Sequence, residues 1–253
     1  MTRIFDALRK SRRSSEQAAM PAPAIAPVAM PQAASAVTRA MARTPAVFTG
    51  TPVPVALDRA PEPPEDVRQQ MIALQVSLEG SLGDRVPHVV HFLASRSREG
   101  TSTLATEFAA TVARHTRGRT LLVDANARRP ALVADDGRAS SRGVDSPLHV
   151  LPVPEAHRAS GTYPPAALRE AIECLGPAYE WIVIDGPPAL EVAEAAVLAA
   201  QSDGVVVVVE AGRTKRPVLT KSVDLLRKAG ARVLGTVLNR RRLEIPGFIY
   251  RHL

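Results

Sequence analysis

The chain has 253 residues, of which 45% are hydrophobic and 23% charged, a composition typical of a soluble protein with one substantial domain. It contains no apolar run of about 20 residues, so we expect no membrane-spanning helix, and its amino terminus lacks the apolar core of a signal peptide. A single cysteine, Cys174, excludes an internal disulfide, and the net charge of +7 favours anionic partners.

The first 63 residues predict two segments that precede the folded domain. Residues 1–13 predict a short amphipathic helix with Ile4, Phe5 and Leu8 on one side and basic residues elsewhere. A helix this short is unstable alone in water, so we expect it to become ordered against a partner or a membrane surface; a frayed terminus is the alternative. Residues 14–63 are rich in alanine and proline and predict a flexible linker.

Residues 64–253 predict one domain of alternating helices and strands. A helix is expected from Glu65 towards Gly83, and further helices at TSTLATEFAATV, PPAALREAIECL, EVAEAAVLAAQ and RPVLTKSVDLLRKAG. Strands are expected at VVHFLA, TLLVDA, LHVLPV, WIVID, GVVVVVE and ARVLGTVLN. Strands that are apolar on both faces and alternate with helices predict an α/β fold, a doubly wound and mostly parallel sheet with helices on both faces. Cys174 falls in the apolar pattern of its helix, so we expect it to be at least half-buried.

The turn SRSREG, between the first of these strands and the next helix, has the layout of a phosphate-binding loop without its lysine. In the pattern GxxxxGK[ST], Gly100 and Ser102 fit, Ser95 stands at the first glycine and Thr101 at the lysine. The amides of such a turn and the positive end of the helix dipole converge on an anion. The sequence therefore predicts an anion cradle that lacks the usual fixed positive charge.

Two acids stand at the ends of buried strands, Asp124 in TLLVDA and Asp185 in WIVIDGPP. In parallel sheets ligands bind at the carboxyl ends of the strands, so we expect both acids to meet the turn in one crevice. Magnesium prefers carboxylate and hydroxyl oxygens together with substrate phosphates, which predicts Ser102, Asp124 and Asp185 as its site. The two acids are also the candidate catalytic residues; the alternative is that each caps a helix or pairs with an arginine.

Taken together, the REGTSTL turn followed by TLLVDANARRP, WIVIDGPP, VVVVVEAGRTKRPVL and VLGTVLNRRR resembles a known family. These motifs are similar to the bacterial tyrosine autokinase (BY-kinase) family of CpsD/CapB type, a branch of the MinD/ParA-like P-loop ATPases. The resemblance runs from about Pro64 to the carboxyl terminus. The opening TRIFDALRKS and the closing IPGFIYRHL resemble members of the family from exopolysaccharide clusters.

The resemblance implies a site for ATP or ADP with Mg²⁺. Asn239, after the last strand, matches the position that such ATPases use near the adenine, and Asp124 and Asp185 match the Walker A′ and Walker B acids. The residues implied in cofactor binding are Arg96, Arg98, Glu99, Gly100, Thr101, Ser102, Thr103 and Asn239.

The sequence also departs from the family pattern at positions that matter for catalysis. The family loop GEGKST is REGTST here, with Arg98 for the first glycine and Thr101 for the lysine, and Asn126 replaces the second Walker A′ acid. The loop lysine stabilises the charge of the transferred phosphoryl group, so its loss predicts weak or absent kinase chemistry. Arg96 or Arg98 would supply part of the missing charge, because guanidinium binds phosphate in a bidentate manner.

Two further motifs of the family are reduced. The helical oligomerisation motif EAxRxxR is present as Glu65 and Arg68, with Met71 at the second arginine, and the carboxyl-terminal tyrosine cluster is reduced to Tyr250. Clustered autophosphorylation is therefore not expected, whereas a homo-oligomer remains compatible with the sequence.

The resemblance implies a cytoplasmic P-loop protein of exopolysaccharide or capsule biosynthesis, recruited to the inner face of the cell membrane. Its implied partner is a membrane polysaccharide co-polymerase or chain-length determinant protein, which it would regulate. One alternative is an active ATP-dependent tyrosine autokinase or ATPase in which an arginine replaces the lysine. Another is a ParA-like positioning ATPase on DNA, although scattered basic residues and only 4% aromatic residues argue against nucleic-acid binding.

Overall fold

The computed structural model describes residues 50–55, 57, 63–132 and 146–240. The predicted helix at residues 1–13, most of the predicted linker at 14–63 and the lone carboxyl-terminal tyrosine, Tyr250, lie outside these residues. Within the described ranges, no helix is long and apolar enough to cross a membrane.

The described residues form seven strands, which make up one sheet. They are β1 (Val53–Pro54), β2 (His88–Ala94), β3 (Thr120–Asp124), β4 (Leu148–Leu151), β5 (Trp181–Asp185), β6 (Gly204–Glu210) and β7 (Val233–Asn239). Their order across the sheet is β1-β4-β3-β5-β2-β6-β7, and every neighbouring pair is parallel except β1 with β4. The predicted α/β fold with a mostly parallel sheet is confirmed.

Helices cover both faces of this sheet. They are α1 (Glu65–Leu82), α2 (Thr101–His115), α3 (Glu155–Ser160), α4 (Pro165–Leu175), α5 (Ala195–Ala199) and α6 (Arg216–Lys228). Residues of α1 and α2 pack in one apolar cluster with one face of the strands. Residues of α4, α5 and α6 form two clusters on the opposite face.

The alternation of side chains along β2 shows why all seven of its residues are buried. Val90 and Phe92 point into the cluster under α2, where Phe92 contacts Phe108, while Val89 and Leu93 point into the clusters on the other face. Successive side chains of a strand face opposite sides, so a strand covered on both faces buries every position. This burial fixes the carboxyl end of β2, from which the turn begins.

The folded region begins earlier than the predicted boundary at residue 64. Val53 and Pro54 pair antiparallel with β4, and the Val55 N–H donates to the Leu148 carbonyl at 3.0 Å. Val55 and Leu57 pack against the α2-side core. The edge of β4 offers unpaired backbone groups, and these few residues of the predicted linker satisfy them.

The helix predicted at EVAEAAVLAAQ is much shorter than expected, since only Ala195–Ala199 is helical. Before it, the Ala189 N–H donates to the Ala94 carbonyl and the Leu190 N–H to the Ser95 carbonyl. These long-range hydrogen bonds hold residues 189 and 190 in a non-helical conformation against the end of β2. The helix therefore begins only at Ala195.

Two further differences concern the side of the sheet that α4 covers. Cys174 was expected to be at least half-buried but is exposed, because α4 buries only Ala167, Leu168 and Ala171 and Cys174 lies in its last turn. The short helix α3 was not predicted; none of its 6 residues is buried, so it has no hydrophobic periodicity to reveal it.

Candidate functional site

The turn between β2 and α2 contains two residues in the left-handed conformation. Gly100 has φ 90° and ψ 23°, and Arg98 has φ 70°. A Cβ on Gly100 would lie 2.1 Å from Asn239 Nδ2, so this position requires glycine. Arg98 adopts the same region at a cost of roughly 1–2 kcal/mol, and it stands where the family motif has glycine. The backbone of the turn is therefore left-handed at both Arg98 and Gly100, on either side of Glu99.

Glu99 is buried beneath this turn and supports it from inside. Its carboxylate accepts hydrogen bonds from the Ser95 N–H at 3.1 Å and the Thr214 hydroxyl at 2.6 Å. The Ser222 hydroxyl donates to Ser95 Oγ at 2.8 Å. These contacts tie the turn to α6 and to the segment that precedes it, so Glu99 positions the loop and its carboxylate is not among the groups that line the cavity.

Asn239, which the resemblance implies lies near an adenine, contacts the turn directly; its place relative to a nucleotide stays a prediction. Its amide Nδ2 donates to the Glu99 carbonyl at 2.9 Å, and its Oδ1 accepts from the Arg240 N–H at 2.8 Å. The side chain therefore connects the end of β7 to the turn, and the structure gives it a role in shaping the loop.

An open cavity of about 460 Å³ lies over the turn and the start of α2. Six of the predicted binding residues line it: Arg96, Arg98, Gly100, Thr101, Ser102 and Thr103. Asn126, Arg129, Arg213, Arg240, Ser97 and Gly186 complete the lining. Sequence reasoning did not select Arg213 or Arg240 as site residues, although both stand in motifs that carry the family resemblance, directly after strands β6 and β7.

Asp124 and Asp185 are direct neighbours across β3 and β5, as the sequence predicted. Both oxygens of Asp185 are buried and accept no hydrogen bond, and the residue is only 1% exposed. Burial, together with the charge of Asp124, raises the pKa of Asp185 to about 7, while the nearby Ser102 hydroxyl lowers it without forming a hydrogen bond of normal geometry. A buried carboxylate of this kind is suited to bind a cation, which would compensate its burial.

Asp124 has a different environment, because its carboxylate closes the loop that follows β3. Oδ1 accepts from the Asn126 N–H at 2.9 Å, and Oδ2 accepts from Ala131 at 2.8 Å and Leu132 at 3.0 Å. Burial raises the pKa of Asp124, although these three amides lower it. The carboxylate thus holds in place the loop that brings Asn126 and Arg129 to the cavity.

Ser102 and Asp185 are suited to hold a magnesium ion whose remaining ligands would be water and phosphate oxygens. Ser102 lines the cavity and offers a hydroxyl, and Asp185, which is buried next to it and does not itself line the cavity, offers two carboxylate oxygens. The described residues contain no cluster of three or more His, Cys, Asp or Glu side chains suited to a metal. Magnesium does not need one, because it commonly binds one or two carboxylates together with water and substrate phosphates.

The rim of the cavity is strongly positive. Arg96, Arg98, Arg129, Arg213 and Arg240 all line it. Glu210 pairs with Arg213 at 2.9 Å and with Arg240 at 3.1 Å. The loop lysine is absent, yet the site carries more cationic side chains than neighbouring carboxylates neutralise, which favours a polyanion.

Comparisons with known proteins find similar sequences and similar solved structures. No model of a protein family matches the chain. The chain is 29% identical over 170 residues to the tyrosine-protein kinase CpsD of Streptococcus agalactiae, covering 57% of this chain and 72% of CpsD. It is 26% identical over 202 residues to the tyrosine-protein kinase YwqD of Bacillus subtilis, and the match covers 72% of this chain and 85% of YwqD.

A third relative is the succinoglycan biosynthesis transport protein ExoP of Rhizobium meliloti, with 28% identity over 198 residues, which are 70% of this chain and 25% of ExoP. Among solved structures, the VpsO kinase domain superposes with a TM-score of 0.51 and 26% identity, covering 70% of this chain and 98% of that domain. The kinase domain of the Escherichia coli tyrosine kinase ETK has a TM-score of 0.56 at 18% identity, covering 69% of this chain and 76% of that domain, and supports the fold.

The chain therefore has the fold of these kinase domains, with the turn and the two acids at the carboxyl ends of neighbouring strands. In sequence and in fold the chain is similar to the CpsD- and YwqD-type bacterial tyrosine-protein kinases.

Proposed function

We propose that this chain is a nucleotide-binding regulatory protein of exopolysaccharide or capsule biosynthesis with weak or absent kinase activity. One relative is a succinoglycan biosynthesis transport protein, which supports a role in polysaccharide biosynthesis. Others are tyrosine-protein kinases, which supports a nucleotide as the ligand. Its partner would be a membrane polysaccharide co-polymerase or chain-length determinant, to which it would be recruited at the inner face of the cell membrane.

The observation that carries the proposal is the combination of an intact cradle with a missing lysine. The turn keeps its left-handed residues, and Asp185 keeps an unpartnered carboxylate beside Ser102. Thr101 stands where the lysine would be and lines the cavity. Binding depends mainly on backbone amides and the metal ligands, whereas catalysis depends on stabilising the charge of the transition state.

Each residue has a defined part in this proposal. The turn amides and the rim arginines would bind the phosphates of ATP or ADP, and Ser102 and Asp185 would hold Mg²⁺, which neutralises charge on the phosphates. Asp124, committed to three backbone amides, would keep the loop after β3 in place and influence the site through its charge. It is less available as a general base than a free carboxylate would be.

Calorimetric titration of the purified protein with ADP and ATP, each with and without Mg²⁺, tests the proposal. We expect Mg²⁺-dependent binding without turnover. Asp185→Asn is the matched variant, because it keeps the shape of the side chain and removes the charge that would bind the ion. If the protein binds neither nucleotide, a nucleotide-binding function is wrong.

The second candidate, an active ATPase or tyrosine autokinase, is favoured by the arginines at the rim. It predicts Mg²⁺-dependent ATP turnover that Asp124→Ala and Asp185→Asn both abolish. Turnover that persists unchanged in both variants would indicate a contaminating enzyme. If both variants lose a turnover that the unmodified protein has, the chain is an active ATPase or autokinase and the proposal of weak or absent kinase activity is wrong.

A further inference from the structure

Arg240 lies directly over the turn although 142 residues separate it from Arg98 in the chain. It follows β7 in the left-handed conformation, with φ 56°. Its Nη1 donates to the Arg98 carbonyl at 3.1 Å and to Glu210 Oε1 at 3.1 Å. Its Nε lies 3.9 Å from the point that a Cβ on Gly100 would occupy. The guanidinium is therefore placed at the glycine that opens α2.

The contacts of Asn239 and Arg240 also orient the backbone of the turn. Asn239 binds the Glu99 carbonyl and Arg240 binds the Arg98 carbonyl. In a planar trans peptide the C=O of one residue and the N–H of the next point in opposite directions. Asn239 and Arg240 hold both carbonyls pointing towards the end of β7. The N–H groups of Glu99 and Gly100 therefore point away from β7, which is the orientation that an anion cradle requires.

Arg240 differs from the other rim arginines in being held in place by the turn itself. Arg96, Arg98 and Arg129 are exposed, and their guanidinium groups make no hydrogen bond within the described residues, although Arg96 and Arg129 interact electrostatically with Glu191. Arg213 donates to Glu210, and no hydrogen bond joins its side chain to the turn within the described residues. Arg240 has two acceptors for Nη1, while its Nε and Nη2 groups form no hydrogen bond to any described residue. A cation that is already positioned loses little entropy when it binds phosphate.

We propose that Arg240, oriented by Glu210, supplies the positive charge that the Thr101 position lacks and binds the distal phosphates of a polyphosphate ligand. This inference rests on the proposed nucleotide-binding function, since it names the side chain that would replace the loop lysine. Arg240 lines the same cavity as Gly100 and Ser102. Its free N–H groups are suited to two oxygens of one phosphate or to one oxygen on each of two.

Calorimetry with inorganic tripolyphosphate and with Mg-ATP tests the inference on the full chain. Arg240→Asn removes the guanidinium and tolerates the left-handed backbone. Arg240→Lys keeps a charge but not the fork of donors. Arg227→Asn, at an exposed position of α6 that does not line the cavity, removes the same net charge elsewhere. Because the Arg240 side chain is 55% exposed, its replacement should leave the fold intact, which the midpoint of thermal unfolding verifies.

We expect Arg240→Asn to weaken binding of both ligands by about tenfold, as for loss of hydrogen bonds to a charged group, with Arg240→Lys intermediate and Arg227→Asn unchanged. If the unmodified protein binds and Arg240→Asn binds equally well, the inference is wrong while the nucleotide function stands. Arg240-dependent binding of tripolyphosphate without binding of ATP would support the inference and overturn the nucleotide function. Binding of neither ligand would overturn both.

Discussion

Asp185 is the residue at which burial and function conflict most directly. Its carboxylate is buried without a hydrogen-bond partner next to a second acid. Ionising it inside the folded protein is unfavourable, which is why its pKa rises to about 7. A cation bound at Ser102 and Asp185 would remove this cost, so metal binding and the stability of the fold should be linked at this residue.

Asp185→Asn should therefore stabilise the metal-free protein at pH 8. A raised carboxyl pKa means that the folded state binds the proton more tightly, so the free energy of unfolding falls as pH rises from about 4 to about 7. Asparagine removes this dependence, and we expect a gain of about 1–3 kcal/mol at pH 8 that shrinks towards pH 4. Urea denaturation between pH 4 and 8 measures it. A variant less stable than the unmodified protein at pH 8 would contradict the assigned environment.

Thr101 is the position at which a single substitution should restore the family pattern. Thr101→Lys places an ammonium at the first residue of α2, where it lines the cavity. We expect Mg-ATP to bind about tenfold more tightly, because the new charge reaches the phosphates. The gain should be larger in the Arg240→Asn background than in the unmodified protein, since the two cations would serve the same phosphates. Equal gains in both backgrounds, measured by calorimetry, would show that they act independently.

Between elements, the turn after β2 depends on contacts with distant parts of the chain. Glu99 joins it to Thr214 before α6, and Ser95 joins it to Ser222 within α6. Asn239 joins it to β7. The shape of the loop is thus maintained by three separate segments, so its conformation depends on the packing of the sheet rather than on the turn sequence alone.

The short strand β1 provides a test of where the folded region begins. Val55→Pro removes the N–H that bonds to the Leu148 carbonyl and disturbs the packing of Val55 on the core. We expect a loss of about 1–3 kcal/mol in the free energy of unfolding, measured with urea. Thr51→Pro is the matched control, because it also creates a Pro-Pro pair, at an exposed residue outside β1. Equal stability of the two variants would show that this strand contributes nothing to the domain.

For the whole molecule, ligand binding and stability should be coupled. Mg-ADP at about 100 times its dissociation constant should raise the free energy of unfolding by about 2.7 kcal/mol, because only the folded sheet brings the turn and the acids together. AMP, which lacks the second phosphate, should have a much smaller effect at the same concentration. Urea denaturation with each nucleotide measures this, and equal stabilisation by AMP would indicate that the phosphate cradle is not the binding site.

Much of the fold was predictable because it depends on local pattern. Six of the seven strands, β2 to β7, were predicted from apolar runs that the chain shows within a few residues; only β1 was not. The placement of Asp124 and Asp185 at carboxyl ends of strands follows from these runs and from the general rule for parallel sheets, whereas the pairing of β3 with β5 is a result of the strand order. The phosphate-loop layout and the absence of its lysine were likewise visible in the sequence.

Only the tertiary structure decided which side chains complete the site. Arg240 reaches Arg98 because β7 and β2 both flank β6, an arrangement that strand order determines and local periodicity does not encode. The same holds for Glu99, whose carboxylate turns inward to Thr214 although its motif suggested a place in the cavity. The sequence by itself determined the elements and the chemistry at their ends. The partners of each side chain depended on contacts between residues more than 100 positions apart, which form only when the whole sheet is assembled.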